Sequence, residues 1–334
     1  MEKQFVCVRV IKANGLDLNL FQFDYDQTWC VVFLNANRTI YGRYGTRAGG
    51  RKKADTHISV PGFKKSMARA LANHKGYPAN KAKLARYTGG KAEYATPEKI
   101  PTMRKSGCIH CHQVRDTLLR YKWEKKKLKS SDLFVYPLPE RIGLKMDVND
   151  CLVIKRVSDG SPTAKAGLEI GDRVVSINGL PLVSQADIQW ALHRSPANTR
   201  LAVTYQRGRR TAQTSVALTG NWKLGDLSWR VSSWRALRHG VRFVALSVHK
   251  KKQNDIARNA MAFEVKNMYG AGPNPLRRAG LKIGDVILGV DDRTDLVTET
   301  QFLVFIRLNY ALGEKMKFSI LRSGTRRSLD APVW

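Results

Sequence analysis

The run Cys108-Ile109-His110-Cys111-His112 sets two thiols three positions apart, with an imidazole directly after the second. This C-x-x-C-H spacing is the attachment signature of a c-type haem. At the start of a helix the two thiols reach both vinyl groups of one porphyrin, and the next side chain meets the iron. On this reading Cys108 and Cys111 attach haem c and His112 is the proximal ligand. Other chemistries use the same atoms: a redox dithiol with Cys108 activated at a helix N-terminus, zinc held with His110 or His112, or incidental spacing. No second iron ligand is fixed. Met103, Met67, Met146, His57 and His74 are candidates, although methionines on helical faces are more often core fillers. The stretch from Thr96 to Tyr136 is too short for a complete cytochrome core, so neighbouring domains would have to cover part of the haem.

Around this motif the chain offers strands, one long helix and polar connectors. Residues 5 to 12, Phe-Val-Cys-Val-Arg-Val-Ile-Lys, alternate as a strand does, and a second apolar run, Trp29 to Leu34, ends at Asn35-Ala36-Asn37-Arg38 before Thr39-Ile40-Tyr41. That pattern predicts a strand followed by a hairpin. A helix is expected from about Pro61, with Phe63, Met67, Ala70 and Leu71 on one face and Lys64, Lys65 and Arg69 outward. Tyr77 to Pro101 is polar, Gly-rich and broken by prolines, hence a connecting loop. Residues 102–130 are helix-compatible, and Pro137 and Pro139 end that segment.

A two-copy repeat fills the remainder. Ala166-Gly167-Leu168 with Gly171-Asp172-Arg173-Val174-Val175 is echoed by Ala279-Gly280-Leu281 with Gly284-Asp285-Val286-Ile287. In each copy the Gly-Asp pair leads into a strand, followed by a tight turn at Asn178-Gly179 or Asp291-Asp292 and then a helix. A connector with Trp222, Trp229 and Trp234 separates them. These residues resemble PDZ domains of the bacterial periplasmic type. The resemblance implies a carboxylate-binding loop at Arg141-Ile142-Gly143-Leu144, a strand edge that accepts an extended peptide, and a pocket lined by Ile142, Leu144, Ile188 and Leu192. The expected partners are protein or peptide C-termini. In the second copy His239-Gly240-Val241 is a remote loop candidate, and packing or protein contact is the expected role. Ser158 and Ser161 lie in a turn and no G-x-S-x-G elbow occurs, which disfavours proteolysis; no catalytic residue stands out.

Phe5 to Lys12, Asp24 to Asn35 and Ile40 to Gly45, with Ser66 to His74 as a terminal helix, resemble the middle of a thioredoxin-like fold. The family's opening strand, redox helix and cis-proline are absent. Together with C-x-x-C-H and two PDZ modules, the chain resembles the bacterial thioredoxin/PDZ (seleno)protein family, whose members are exported. The expected fold is α+β multidomain: a partial thioredoxin-like α/β unit followed by two PDZ-like β-sandwich or barrel domains. Expected boundaries are 1–90 for the truncated thioredoxin-like unit, 91–134 for the C-x-x-C-H segment, 135–220 for the first PDZ domain, 221–250 for the connector and 251–334 for the second. An upstream selenocysteine codon would explain a reading frame that opens at Met1.

Lys and Arg number 58 against 27 Asp and Glu, a formal net charge of +31. Such a charge repels itself unless anions compensate it, which predicts contact with anionic cell-surface polymers or lipid headgroups. The basic residues run through every segment without one face interleaved with stacking aromatics, so no specific nucleic-acid partner is expected. At 43% hydrophobic and 9% aromatic the chain is globular, and its 334 residues exceed one ordinary core. No run approaches the roughly 20 apolar residues of a transmembrane segment. The five cysteines, Cys7, Cys30, Cys108, Cys111 and Cys151, are an odd count that excludes a disulfide framework; Cys7 and Cys30 read as small core residues. Met1-Glu2-Lys3-Gln4 opens no secretory signal. The expected location is periplasmic or otherwise extracytoplasmic if an upstream signal is missing, and cytoplasmic if the chain is complete. The functional expectation is an exported redox or electron-transfer protein with covalent haem c and PDZ modules. Its alternative is a non-catalytic PDZ scaffold that binds protein C-termini, with the C-x-x-C-H as a dithiol or metal site.

Overall fold

The computed structural model describes residues 2–104, 106–233, 240–269 and 274–333. Trp234 of the connector and His239 of the remote loop candidate lie outside the described residues. The chain forms two compact units, Met1–Val114 with Phe134–Gly225, and Arg115–Leu133 with Asp226–Trp334.

In the first unit, β1 (Val31–Leu34) and β2 (Ile40–Tyr44) make the expected hairpin, antiparallel with a bulge after Phe33. Its turn is held by Asn35 Oδ1, which accepts from the Thr39 N–H at 2.9 Å. The helix predicted from Pro61 is α1 (Val60–Lys75), with Ser59 capping the Gly62 N–H and Pro61 in the first turn. Its inner face buries Ser66, Met67 and Ala70. Next in the chain is α2 (Cys111–Glu124), most of which, from Arg115 on, belongs to the second unit.

The strand expected over residues 5–12 does not form. Val6 is 94% exposed, Val8 82% and Ile11 80%. Alternation becomes a strand only where a ladder partner and a packing surface exist; here only Phe5 finds an apolar neighbour, its ring 6.0 Å from that of Phe33. The β1–β2 sheet is two-stranded, so the central sheet of a thioredoxin-like unit is absent from the described residues, and that expectation is corrected. What this segment builds instead is part of a shared core. Phe33, Ile40, Tyr44, Met67, Leu84 and Tyr87 pack in one cluster with Ile142, Leu144, Ile188 and Leu192.

The first PDZ-like repeat runs β3 (Leu144–Met146), β4 (Ile154–Val157), α3 (Pro162–Lys165), β5 (Arg173–Ile177), β6 (Leu180–Pro181), α4 (Gln185–Arg194), β7 (Thr199–Arg207) and β8 (Arg210–Leu218). β3 and β4 form a two-stranded antiparallel sheet, and the others a four-stranded sheet in the order β6-β5-β7-β8. Asn178 at φ +49° and Gly179 at φ +73° make the tight β5–β6 turn expected of that dipeptide.

The second unit carries β9 (Val241–Ala245), β10 (Phe263–Met268), α5 (Pro275–Arg278), β11 (Val286–Val290), α6 (Glu299–Asn309), β12 (Lys315–Arg322) and β13 (Thr325–Pro332). Its sheet order is β13-β12-β11-β10-β9. The repeated Gly-Asp pair acquires a physical reason in both copies. Asp172 and Asp285 are each 1% exposed. Each carboxylate takes a guanidinium from a later strand: Arg207 at 2.8 Å and Arg322 at 2.7 and 2.6 Å. The same guanidinium then donates 2.7 Å to the carbonyl of Gly167 or Gly280. Gly171 at φ +90° and Gly284 at φ +92° supply the left-handed turn that aims each aspartate inward.

Candidate functional site

Two elements flank the place where the resemblance puts a peptide groove in the first repeat. One is α4, started by a reciprocal cap in which Ser184 Oγ accepts from the Ala186 N–H, while Asp187 accepts from the N–H groups of Val183 and Ser184. Its inner face presents Ile188 and Leu192. The other wall is the turn at Ile142-Gly143-Leu144 and the strand that follows. These four apolar residues belong to one buried core cluster, with Ile142 and Leu144 each 2% exposed and Ile188 and Leu192 each 0%.

Gly143 sits at φ +96°, and a Cβ there would fall 2.2 Å from Ser161 Cβ and Oγ. Only glycine fits. Its carbonyl accepts from the Ser158 N–H at 2.8 Å. By the alternation of an antiparallel ladder, the Leu144 N–H and C=O then point to the opposite edge of β3, where no strand pairs among the described residues. The N–H groups of Arg141 and Gly143 are used inside the turn, by Leu138 O at 2.9 Å and Glu140 O at 3.1 Å. Arg141 turns its guanidinium aside, and its Nε donates to Trp222 O at 3.0 Å.

The helix wall is also held from the N-terminal segment, which sequence reasoning missed. Gln185 and Gln189 on α4 are each 4% exposed. Thr46 Oγ1 donates to Gln189 Oε1 at 2.6 Å, and Gln189 Nε2 donates to Tyr136 O at 3.1 Å. The Arg43 N–H donates to Asp187 Oδ1 at 3.1 Å, and its guanidinium lies 4.3 Å over the Trp190 ring. Burial pushes the Asp187 carboxyl up to about 7, against the pull of Arg43 and the backbone donors. α1 is tied down by Asp150, 5% exposed, which takes Arg69, Arg173 and Lys65. Burial alone would raise that carboxyl, but these cations hold it at about 2. The second repeat reproduces the turn: Gly240, at φ +81°, accepts from Tyr269 N–H just before β9, as Gly143 does before β3.

The C-x-x-C-H segment is built differently from the expectation. α2 begins at Cys111, so Cys108 precedes the helix and stands in solvent. Ile109 turns inward at 0% exposure, with its N–H on Asn14 Oδ1 at 2.9 Å and its carbonyl accepting from Ala13 N at 2.7 Å. Burial pushes the Cys111 thiol up and takes that of Cys30 to about 12, so neither is poised as a thiolate. The rings of His110 and His112 stack at 6.0 Å. Four of the five candidate second ligands are engaged elsewhere, Met67 and Met146 in the shared core, His74 on Tyr41 and His57 on Glu140, and the fifth, Met103, is 7% exposed. Among the described residues no three His, Cys, Asp or Glu side chains group as metal ligands. One thiol in solvent, the other half-buried, and an inward side chain between them do not fit a porphyrin held by both sulfurs.

A hydroxyl–imidazole–carboxylate chain does occur at Thr56, His57 and Glu140, with His57 Nδ1 3.1 Å from Thr56 Oγ1 and Nε2 2.9 Å from Glu140 Oε1. The Thr56 hydroxyl donates to Lys53 O at 3.1 Å. Its proton is directed away from the imidazole, the reverse of nucleophile activation.

The family model described as "PDZ domain" matches residues 141–218; this segment is a PDZ domain. A probable periplasmic serine endoprotease DegP-like of Pseudomonas savastanoi pv. phaseolicola (strain 1448A / Race 6) is 26% identical over 191 residues, 56% of this chain and 38% of that protein. The periplasmic serine endoprotease DegP of Escherichia coli (strain K12) is 25% identical over 150 residues, 45% of this chain and 28% of that protein. The chain thus spans less than two fifths of the length of these relatives. Among solved structures, the HtrA3 PDZ domain bound to a phage-derived ligand is 26% identical, covers 23% of this chain and 81% of that one, and has a TM-score of 0.20. Relatives that are serine endoproteases overturn the expectation of an exported haem c redox or electron-transfer protein. The thioredoxin/PDZ (seleno)protein resemblance retains its PDZ part alone. No helix among the described residues is long and apolar enough to cross a membrane.

Proposed function

We propose that this chain recognises the C-termini of exported polypeptides in the extracytoplasmic space, as the substrate-recognition side of the polypeptide handling performed by the proteases it resembles. The PDZ domain of residues 141–218 takes an extended peptide along the outer edge of β3. The Leu144 N–H meets the terminal carboxylate, and the last side chain rests on Ile142, Leu144, Ile188 and Leu192. The observation that carries this reading is the turn at Gly143, which leaves one edge of β3 without a strand and aims Leu144 N–H along it. The aliphatic lining favours an apolar last residue. The periplasmic relatives support the location. The net charge of +31 supports contact with anionic surface polymers or headgroups there.

The test is fluorescence anisotropy with labelled peptides ending in valine, as free acid and as C-terminal amide. Binding of the acid alone, lost in G143V, is expected. Equal binding of acid and amide sinks the carboxylate assignment.

A further inference from the structure

The segment between β2 and α1 is anchored at both ends to the two walls of the groove. At its start, Thr46 Oγ1 donates to Gln189 Oε1 on α4 at 2.6 Å, and both residues are buried. At its end, His57 Nε2 lies 2.9 Å from Glu140 Oε1, in the turn that leads into Gly143. Its two legs are joined by Tyr44, whose hydroxyl donates to Ser59 O at 2.8 Å and accepts from Ser59 N–H at 2.9 Å. Ser59 Oγ in turn donates to Val148 O at 2.8 Å, beyond the end of β3. A chain fixed on the helix wall at residue 46 and on the turn at residue 57 passes from one wall to the other. The residues proposed to line the pocket, Ile142, Leu144, Ile188 and Leu192, are each no more than 2% exposed, packed in the core that also holds Tyr44, two residues before the first anchor. The outer side of the segment is polar, with Lys52, Lys53, Asp55 and Thr56 exposed.

We propose that residues 46–57 are a strap that closes the peptide groove of the PDZ domain, so that a peptide enters only when the strap lifts from its anchors at Gln189 and Glu140. This rests on the peptide-recognition reading above, and it adds that the resting protein covers its own site. The two anchors join side chains, so the strap detaches without unfolding β2 or α1. Lifting it uncovers the helix wall and the turn together, because the anchors sit one on each.

The experiment uses the full chain and the double variant T46V/H57A, with E140Q as a milder second variant that keeps every strap residue. Two readouts are taken. The first is anisotropy with a labelled decapeptide ending in valine with a free carboxylate. The second is hydrogen exchange over residues 142–146 and 185–192, which needs no ligand. The expected result is about tenfold tighter peptide binding by T46V/H57A, with a smaller gain for E140Q, and faster exchange over both windows. Unchanged affinity with unchanged exchange overturns the strap. If no form binds peptide but exchange over both windows rises in the variants, the strap stands as a cover and the peptide reading fails. If no form binds and exchange is unchanged, both fall.

Discussion

The carboxylate of Asp150 joins α1 to the PDZ domain, and its removal is the sharpest test of how the N-terminal segment is held. Its oxygens lie 2.5 Å from Arg69, 2.8 Å from Arg173 and 3.2 Å from Lys65, and the residue is 5% exposed. Those cations hold the carboxyl at about 2, against an ordinary value of 3.8. That depression corresponds to about 2 kcal/mol of folding stability at neutral pH. A carboxyl lowered by folding stabilises above its ordinary value, so the contribution is present at neutral pH and is lost as the pH falls from about 4 to about 2. In D150N the contribution disappears at every pH, and Arg69 and Arg173 face one another without a counter-charge. Urea unfolding with hydrogen exchange over residues 60–75 measures the effect. We expect D150N to lose about 2 kcal/mol at neutral pH, and the parent to approach it in acid. A variant within about 0.5 kcal/mol of the parent at neutral pH would falsify the linkage.

Other outcomes follow from the same contacts. Substituting Gly143 by alanine forces φ +96° on a residue with a Cβ and drives that atom into Ser161, so unit one should lose about 2 kcal/mol in thermal or urea unfolding. Arg207→Ala and Arg322→Ala each strip the cation from a buried aspartate, and each should destabilise its own unit in urea unfolding. Exchange rates in β5 and β11 distinguish the two, and a loss spread evenly over both units speaks against the assignment. W123A removes a ring that is 3% exposed, donates to Tyr310 O at 3.0 Å and lies 4.1 Å under Arg307. A cost of about 3 kcal/mol confined to the second unit is expected in the same measurements. C108S, at an exposed position, should leave stability and peptide affinity unchanged.

Local chemistry was legible where the sequence carried it. Asn178-Gly179, the Gly-Asp pairs and the hairpin from Trp29 to Tyr41 each name their own backbone geometry, and the structure contains all three. The apolar quartet Ile142, Leu144, Ile188 and Leu192 came from a resemblance, and tertiary packing places all four in one buried core. What stayed hidden depends on partners far along the chain. Alternation over residues 5–12 promised a strand, but among the described residues it finds no ladder partner, and only Phe5 packs against an apolar neighbour. His239-Gly240-Val241 stood only as a remote counterpart of Ile142-Gly143-Leu144, because His239 takes the place of Ile142 and breaks the apolar pattern. The hydrogen bond from Thr46 to Gln189 spans 143 positions, a distance over which periodicity carries no information. The C-x-x-C-H spacing misled for a related reason: it specifies which atoms are available, whereas their burial is decided by Asn14 and Ala13 clasping the peptide between them.

A tethered competitor never diffuses away. Because the residues between Thr46 and His57 belong to the same molecule as the groove, they meet it at an effective concentration in the millimolar range, whatever the protein's own abundance. On the strap proposed above, an incoming chain end competes with that local supply, and sparse or weakly matching termini are turned away.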